Sequence, residues 1–417
     1  MRWLILGAVF LLAVINFADK TVIGLAAVPI MDDLQLNYEQ WGIVGSSFFW
    51  LFSIAGIVGA ALSDRFGTEK MLLLMAIIWT VAQSLTVFAA GLPFLILTRV
   101  LLGAGEGPFF ATAVSHLSKW FAPESRGFAI SILNLGNTVG KAVSVPILIW
   151  LITQSGWKMT FLFLGVLSLL FVFLWLWLGR IQPPHAAVEQ ASVKTKIVRS
   201  KLIKTLLSPT FLFTTIIAFV GYSVITFSLV FSPTYLTEIK EIPASVMGYM
   251  KATAGATGAI LSVGLSAYSD YLFKKSNNIW LSRVFFTSIC AVLAGVVFYA
   301  FTLTESVALM TIILILENGL IMLIFTLGPQ VVNSLMPERK GLMSGIMMGI
   351  ATTSGIIAPI VFGKVIEVSG NRIIGFNGNI HVLAILLVVS AVLFALFAKP
   401  SQKEKITVQQ NIGVHFK

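Results

Sequence analysis

Residues 11–28 read LLAVINFADKTVIGLAAV, with Asp19 and Lys20 side by side in the middle of an otherwise apolar, helix-length run. A charge at the bilayer centre costs roughly 2.5 kcal/mol or more, so a membrane helix keeps two only where they face a protein interior or a water-filled cavity. Asn16, Asp19, Lys20 and Ile23 recur on one helical face, which marks that face as part of a cavity wall. Comparable apolar runs recur over the whole length. The 417 residues are 57% hydrophobic and 11% charged, with a mean hydropathy of +0.94, the composition of a polytopic membrane protein. Windows of about 20 apolar residues each cross a hydrocarbon core of about 30 Å as a helix, and period-two alternation is absent, which excludes a barrel.

The pattern predicts twelve spans, at about 3–27, 41–62, 70–90, 93–115, 126–153, 157–179, 209–236, 244–269, 280–303, 306–334, 341–367 and 377–398. Arg2 followed by WLILGAVFLLAV resembles a secretory leader, but no small-residue cleavage site succeeds it, so it reads as an uncleaved first helix. Between the sixth and seventh spans lies RIQPPHAAVEQASVKTKIVRSKLIKTLLSP, which carries six Lys/Arg in 30 residues and reads as a linker. The division expected is a six-helix bundle over 1–180, a linker over 181–208, a second bundle over 209–399 and a tail over 400–417.

The net charge of +11 is placed for a membrane rather than for nucleic acid. Arg2, Arg65, Lys70, Lys119, Arg126, Arg180, the linker cations, Lys274, Lys275, Arg283, Arg339, Lys340 and Lys399 fall on one side. Lys158, Lys240 and Arg372 fall on the other, among Asp32, Asp33, Glu39, Glu238, Glu241 and Glu305. The excess of Lys/Arg puts the first side, and both termini, in the cytoplasm. The only cysteine is Cys290, and the four histidines lie near helix ends or in loops, so neither a disulfide nor a His/Cys metal site is indicated.

Within the spans a few polar residues stand out. Arg99 precedes Glu106 by seven residues, on one face of the fourth span and about 10 Å apart. Glu106 lies in GAGEGP, where Gly105 and Gly107 allow close helix approach and keep the carboxyl group away from water. In the fifth span Asn134, Asn137, Thr138 and Lys141 form one polar face, with Lys141 near Glu106 in depth. Two roles stay open for Lys141: a second anchor for an anion, or a counter-charge for Glu106. In the second half Tyr222, Thr226, Thr353 and Ser354 offer hydroxyls for neutral recognition. Over the deep positions the cations are Lys20, Arg99, Lys141 and Lys251 and the acids Asp19, Glu106 and Glu317, an excess that favours an anionic cargo.

The loop motif LSDRFGTEK, its echo YSDYLFKK six spans later, and RVLLGAGEGPFFATAVSHLSKWFAPESRGFA (99–129) resemble the major facilitator superfamily. Within it the chain is similar to the anion:cation symporters, which include hexonate, hexuronate, glucarate and phthalate carriers and the vertebrate sialic acid and vesicular glutamate transporters. The resemblance implies an all-α fold of twelve helices in two bundles, monomeric as is the superfamily's habit. It implies no enzymatic activity and no cofactor, the proton gradient being the driving force. It also implies symport of a proton with a small organic anion, a sugar acid such as a hexonate, hexuronate or aldarate.

The resemblance assigns proton coupling to Asp19, Glu106 and Arg99, and substrate contact to Lys20, where the family usually has arginine. Asn137, Lys141, Tyr222, Thr226, Thr353 and Ser354 complete the expected substrate set. Asp64, Arg65 and Arg126 are expected to latch the cytoplasmic side of the outward-open state. Here Ala60 replaces the usual glycine before the aspartate, and Thr68 and Glu69 replace the usual basic pair. The alternative function is proton-coupled efflux of hydrophobic or cationic compounds, which calls for a net negative pocket.

Overall fold

The computed structural model describes residues 1–181 and 199–400, leaving the side chains of Ala60, Asp64, Pro123, Arg199 and Ser200 undescribed. The linker positions 182–198 and the tail positions 401–417 therefore lie outside the described residues. Twelve long helical segments succeed one another: α1 Arg2–Leu25, α2 Tyr38–Phe66, α3 Thr68–Thr86, α4 Leu92–Trp120, α5 123–155, α6 157–178, α7 Pro209–Val230, α8 Ala244–Ser276, α9 Trp280–Leu303, α10 Val307–Leu335, α11 Pro337–Val368 and α12 Arg372–Phe397.

Among the described residues, ten apolar stretches are long enough to cross a membrane. One of them, Glu124–Leu178, is two crossings joined end to end, because Gly156 at φ 79°, ψ 167° reverses the chain between α5 and α6. The twelfth crossing is α8, whose Lys251, Thr253 and several serines and glycines dilute its apolar character. The fourth span is a broken helix. Pro108 has no N–H to donate, so the helix stops at Glu106 and resumes at Phe109.

The two sets of six helices repeat one arrangement. In the first, α1 packs on α5, α2 on α4, and α3 on both α4 and α6; in the second, α7 packs on α11, α8 on α10, and α9 on both α10 and α12. The junctions between the sets repeat as well: α2 lies along α11 and α5 along α8. Intimate helix contact within a set is made by glycine. A Cβ at Gly103 or Gly107 of α4 would run into the carbonyl oxygens of Phe48 or Phe52 on α2, one turn apart.

At the end opposite the termini, here called the outer end, the sets are closed against each other. Gly42 faces the Pro359 carbonyl, Gly363 the Tyr38 carbonyl and Gly24 the Leu229 carbonyl, each without room for a Cβ. Trp41 Nε1 donates to the Val230 carbonyl (3.3 Å), Ser46 Oγ to that of Ile356 (2.7 Å), and the Ser53 and Thr352 hydroxyls meet at 2.9 Å. The Tyr38 N–H donates to Glu367 Oε2 at 3.1 Å, and its hydroxyl donates to Glu238, which also pairs with Arg372 at 3.2 Å. At the other end there is open space beside Gly127 on α5 and beside Gly341, Gly345 and Gly349 on α11. The arrangement is thus shut at the outer end.

The three outer cations read from the sequence are all neutralised locally. Lys158 pairs with Asp33 (3.1 Å), Lys240 with Glu305 (2.7 Å) and Arg372 with Glu238.

Candidate functional site

The face of α1 that carries the opening stretch meets α3 and α4. Asp19 is fully buried, and its Oδ1 accepts from Gln83 Nε2 on α3 at 2.6 Å. Lys20 Nζ donates to Asn16 Oδ1 at 2.7 Å and stands 3.2 Å from Glu106 Oε2, an ion pair without hydrogen-bond alignment. The Glu106 side chain has no exposure, whereas the Lys20 side chain keeps 23%. The Arg99 guanidinium lies 5.1 Å from the Phe48 ring centre, and its Nε and Nη1 have no hydrogen-bond partner. Such a cluster is held by packing, since buried charges without full hydrogen bonding contribute little net stability.

Asp19, grouped with Glu106 and Arg99 for coupling, takes its hydrogen bond from Gln83, and Lys20, expected to contact the cargo, stands against Glu106. Lys20 is the counter-ion of Glu106 while remaining the one member of the pair open to water. Its helical position and its long stem allow both. Gln83, the partner of Asp19, was missed; its signal was a lone amide in the apolar run IIWTVAQSL.

Lys141 does not neutralise Glu106. It sits in a π-helical turn, Gly140–Ser144, and the extra residue of such a turn rotates the downstream helix by roughly 100° relative to a regular one. Its ammonium lies 4.8 Å from the Phe17 ring and its stem against Gly255 of α8. It lines a cavity of about 100 Å³ between the two sets of helices, with Phe17 and Thr21 of α1, Ser228 of α7, Lys251 of α8, and Glu317 and Asn318 of α10. Lys251 Nζ donates to the Ser228 carbonyl at 2.7 Å and to Ser232 Oγ at 3.3 Å.

Of the expected substrate ligands only Lys141 lines that cavity. Thr226 is buried with its hydroxyl donating to the Tyr222 carbonyl at 2.8 Å, because Ile225, Ser228 and Leu229 occupy the cavity-facing phase of α7. Tyr222 stacks edge-on between Phe49 and Phe325, each 6.0 Å away. Thr353 donates to the Ile350 carbonyl at 2.7 Å; Ser354 is buried with its Oγ unpartnered. Asn137 is half-buried on α5 and makes no side-chain hydrogen bond among the described residues.

Of the expected latch, the Asp64 side chain lies outside the described residues. Arg65 is exposed over the Phe66 ring, 5.4 Å from its centre, and Arg126 Nη2 donates to the Ser118 carbonyl at 3.1 Å. Thr68 and Glu69 are tied instead to α4. Lys119 Nζ donates to Thr68 Oγ1 at 2.9 Å and pairs with Glu69 at 3.6 Å, and His116 Nδ1 lies 3.0 Å from the same hydroxyl. The Trp120 indole can only donate, so His116 Nε2 accepts it and a neutral ring keeps its proton on Nδ1, toward Thr68 and Glu69.

Twelve helices in two similarly packed sets, with buried charges at and beside their junction, describe a transporter scaffold. The sequence profile of the Major Facilitator Superfamily matches residues 9–359. The chain belongs to that superfamily. A hexuronate transporter of Bacillus subtilis (strain 168) is 26% identical over 397 residues, covering 94% of this chain and 93% of the relative. A probable sulfoacetate transporter of Cupriavidus necator is 27% identical over 421 residues, covering 97% and 96%. Among solved structures, a bacterial homologue of the human lysosomal transporter Spinster, inward-facing and unoccupied, superposes with a TM-score of 0.78 at 20% identity, covering 95% of this chain and 97% of that one. These matches, together with the ten apolar spans, establish the major facilitator fold, a multi-pass membrane protein and a transporter rather than an enzyme.

Proposed function

We propose that this superfamily member is a symporter that takes up a small organic anion of the sugar-acid class together with a proton, with both termini in the cytoplasm, by rocking its two bundles. The observation that carries the reading is the Lys20–Glu106 pair: a fully buried acid is held by a cation that is itself open to water. While Glu106 is ionised, Lys20 is engaged by it. Protonation of Glu106 removes the counter-charge and releases the ammonium to a substrate carboxylate, so proton and anion load together. Asp19 and Arg99 complete a cluster that is neutral as a whole, and Asp64, Arg65 and Arg126 are assigned to the cytoplasmic latch of the outward-open state. The names of the relatives, which specify hexuronate and sulfoacetate, support an organic acid as cargo.

The test is uptake into proteoliposomes. An imposed inside-alkaline pH gradient should drive accumulation of a labelled sugar acid above its equilibrium level, and indifference to the gradient rejects proton coupling. Efflux of hydrophobic cations has no comparable support, because the charge at the inter-bundle cavity is positive: two lysines to one glutamate.

A further inference from the structure

The seven deep charges divide unevenly between two places. Lys20, Arg99, Asp19 and Glu106 cancel within the first bundle, and the excess cation of the whole set resides in the inter-bundle cavity, where Lys141 and Lys251 face Glu317. Two observations there point to a ligand. Glu317 is 3% exposed and lines the cavity, yet its Oε2 has no hydrogen-bond partner. Lys141 is half-buried and, beyond its contact with the Phe17 ring, has no hydrogen-bond acceptor among the described residues, so its ammonium is left to meet one on a ligand. The backbone has been arranged around it: the π turn aims Lys141 at the cavity, and Gly255 leaves room for its stem. At about 100 Å³ the cavity holds several waters or one end of a polar molecule, not a whole six-carbon acid. Its wall residues Phe17 and Thr21 belong to the same turns of α1 as Asn16 and Lys20.

We propose that this cavity is a second anion subsite, in which Lys141 and Lys251 bind a second acidic group of the cargo while Glu317 Oε2 accepts from the neighbouring hydroxyl. The carrier is then selective for dianions, polyhydroxy acids with an acid group at each end, over monoacids of the same skeleton. This rests on the anion-symport reading above: Lys20 takes one end of the cargo, and the inter-bundle lysines take the other. A bridging diacid touches α1, α5, α8 and α10 at once, so it holds both bundles in the closed geometry that a monoacid leaves half engaged.

The experiment compares same-skeleton pairs, galactarate with galactonate and D-glucarate with D-gluconate, in proteoliposome uptake under a fixed pH gradient, with melting shifts of the purified protein as an equilibrium readout. The diacid of at least one pair should exceed its monoacid at least tenfold in kcat/KM and give the larger shift. Lys141→Gln and Lys251→Gln should each reduce that ratio at least fivefold, and Lys141→Arg should restore it. The ratio is read within one preparation, so loss of folded protein does not mimic the effect. Equal uptake of diacid and monoacid, or a ratio unmoved by both glutamine variants, overturns the subsite while leaving anion symport standing. Uptake of neither acid type under the gradient overturns both.

Discussion

Lys20 Nζ lies 3.2 Å from Glu106 Oε2, and of the two side chains only the lysine is exposed, at 23%. The pair joins a helix that enters the membrane to the broken point of another that crosses the opposite way, so its state is felt by two elements at once.

Glu106→Gln removes the charge that holds Lys20 and leaves no group at that position to protonate. Accumulation driven by a pH gradient should fall at least tenfold, while counterflow exchange of unlabelled for labelled substrate persists. Equal loss of both activities would reduce Glu106 to a structural residue.

Lys20→Ala should weaken substrate binding about ten- to a hundredfold, the loss of a charged hydrogen bond worth about 1.5–3 kcal/mol. Lys20→Arg keeps the charge and adds a two-pronged fit to a carboxylate, so it should bind at least as tightly as the parent. Calorimetric or melting-shift titration measures both, and unchanged affinity in the alanine variant would remove Lys20 from the site.

The glycines of α4 and α5 should respond in opposite ways. Gly107→Ala drives a methyl group into the Phe52 carbonyl within the first bundle, a clash of the kind that costs about 1–3 kcal/mol or more. Gly127→Ala meets open space and gains up to about 1 kcal/mol of helix propensity. Melting curves in detergent should show a clear drop for the first and none for the second.

Gly42→Val obstructs a contact that exists only when the outer end is shut, namely that with the Pro359 carbonyl of the other bundle. The variant should fold, keep its melting temperature and lose transport by resting in the outward-open form. A single cysteine introduced near Tyr38 reports this by faster thiol labelling. Cys290 contributes little background because it is 3% exposed. Labelling at the parent rate would show that the outer contacts do not govern the equilibrium.

Hydropathy and breaker residues carried nearly all of the fold. The helix break coincides with Pro108, which lacks the N–H a helix needs, and the reversal with Gly156, which takes a positive φ at no steric cost, while the polar α8 was still recognisable by length. Depth along a helix was legible for the same reason, because it is set by the rise per residue. Rotation was not. For Lys141 the sequence left two directions open, toward Glu106 or toward the cargo, because no residue pattern in GKAVS announces the π turn in which it sits. Thr226 was assigned to a binding face from its hydroxyl alone, whereas one residue's difference in phase turns it toward its own backbone. Partner choice within the charge cluster was hidden as well, since Gln83 reaches Asp19 across a span boundary that sequence distance does not encode.

The closure at the outer end is made of backbones laid against glycine and proline at Gly24, Gly42, Pro359 and Gly363, with a few hydroxyls between. Contacts of this kind contribute on the order of 0.5–1 kcal/mol each, and Trp41 and Tyr38 add side-chain hydrogen bonds across them. It is a clasp whose edges meet on backbone and part only when the Trp41 indole and the Tyr38 ring leave the other bundle. A cargo chooses between the two forms of the carrier only by as much as it binds one of them better than the other.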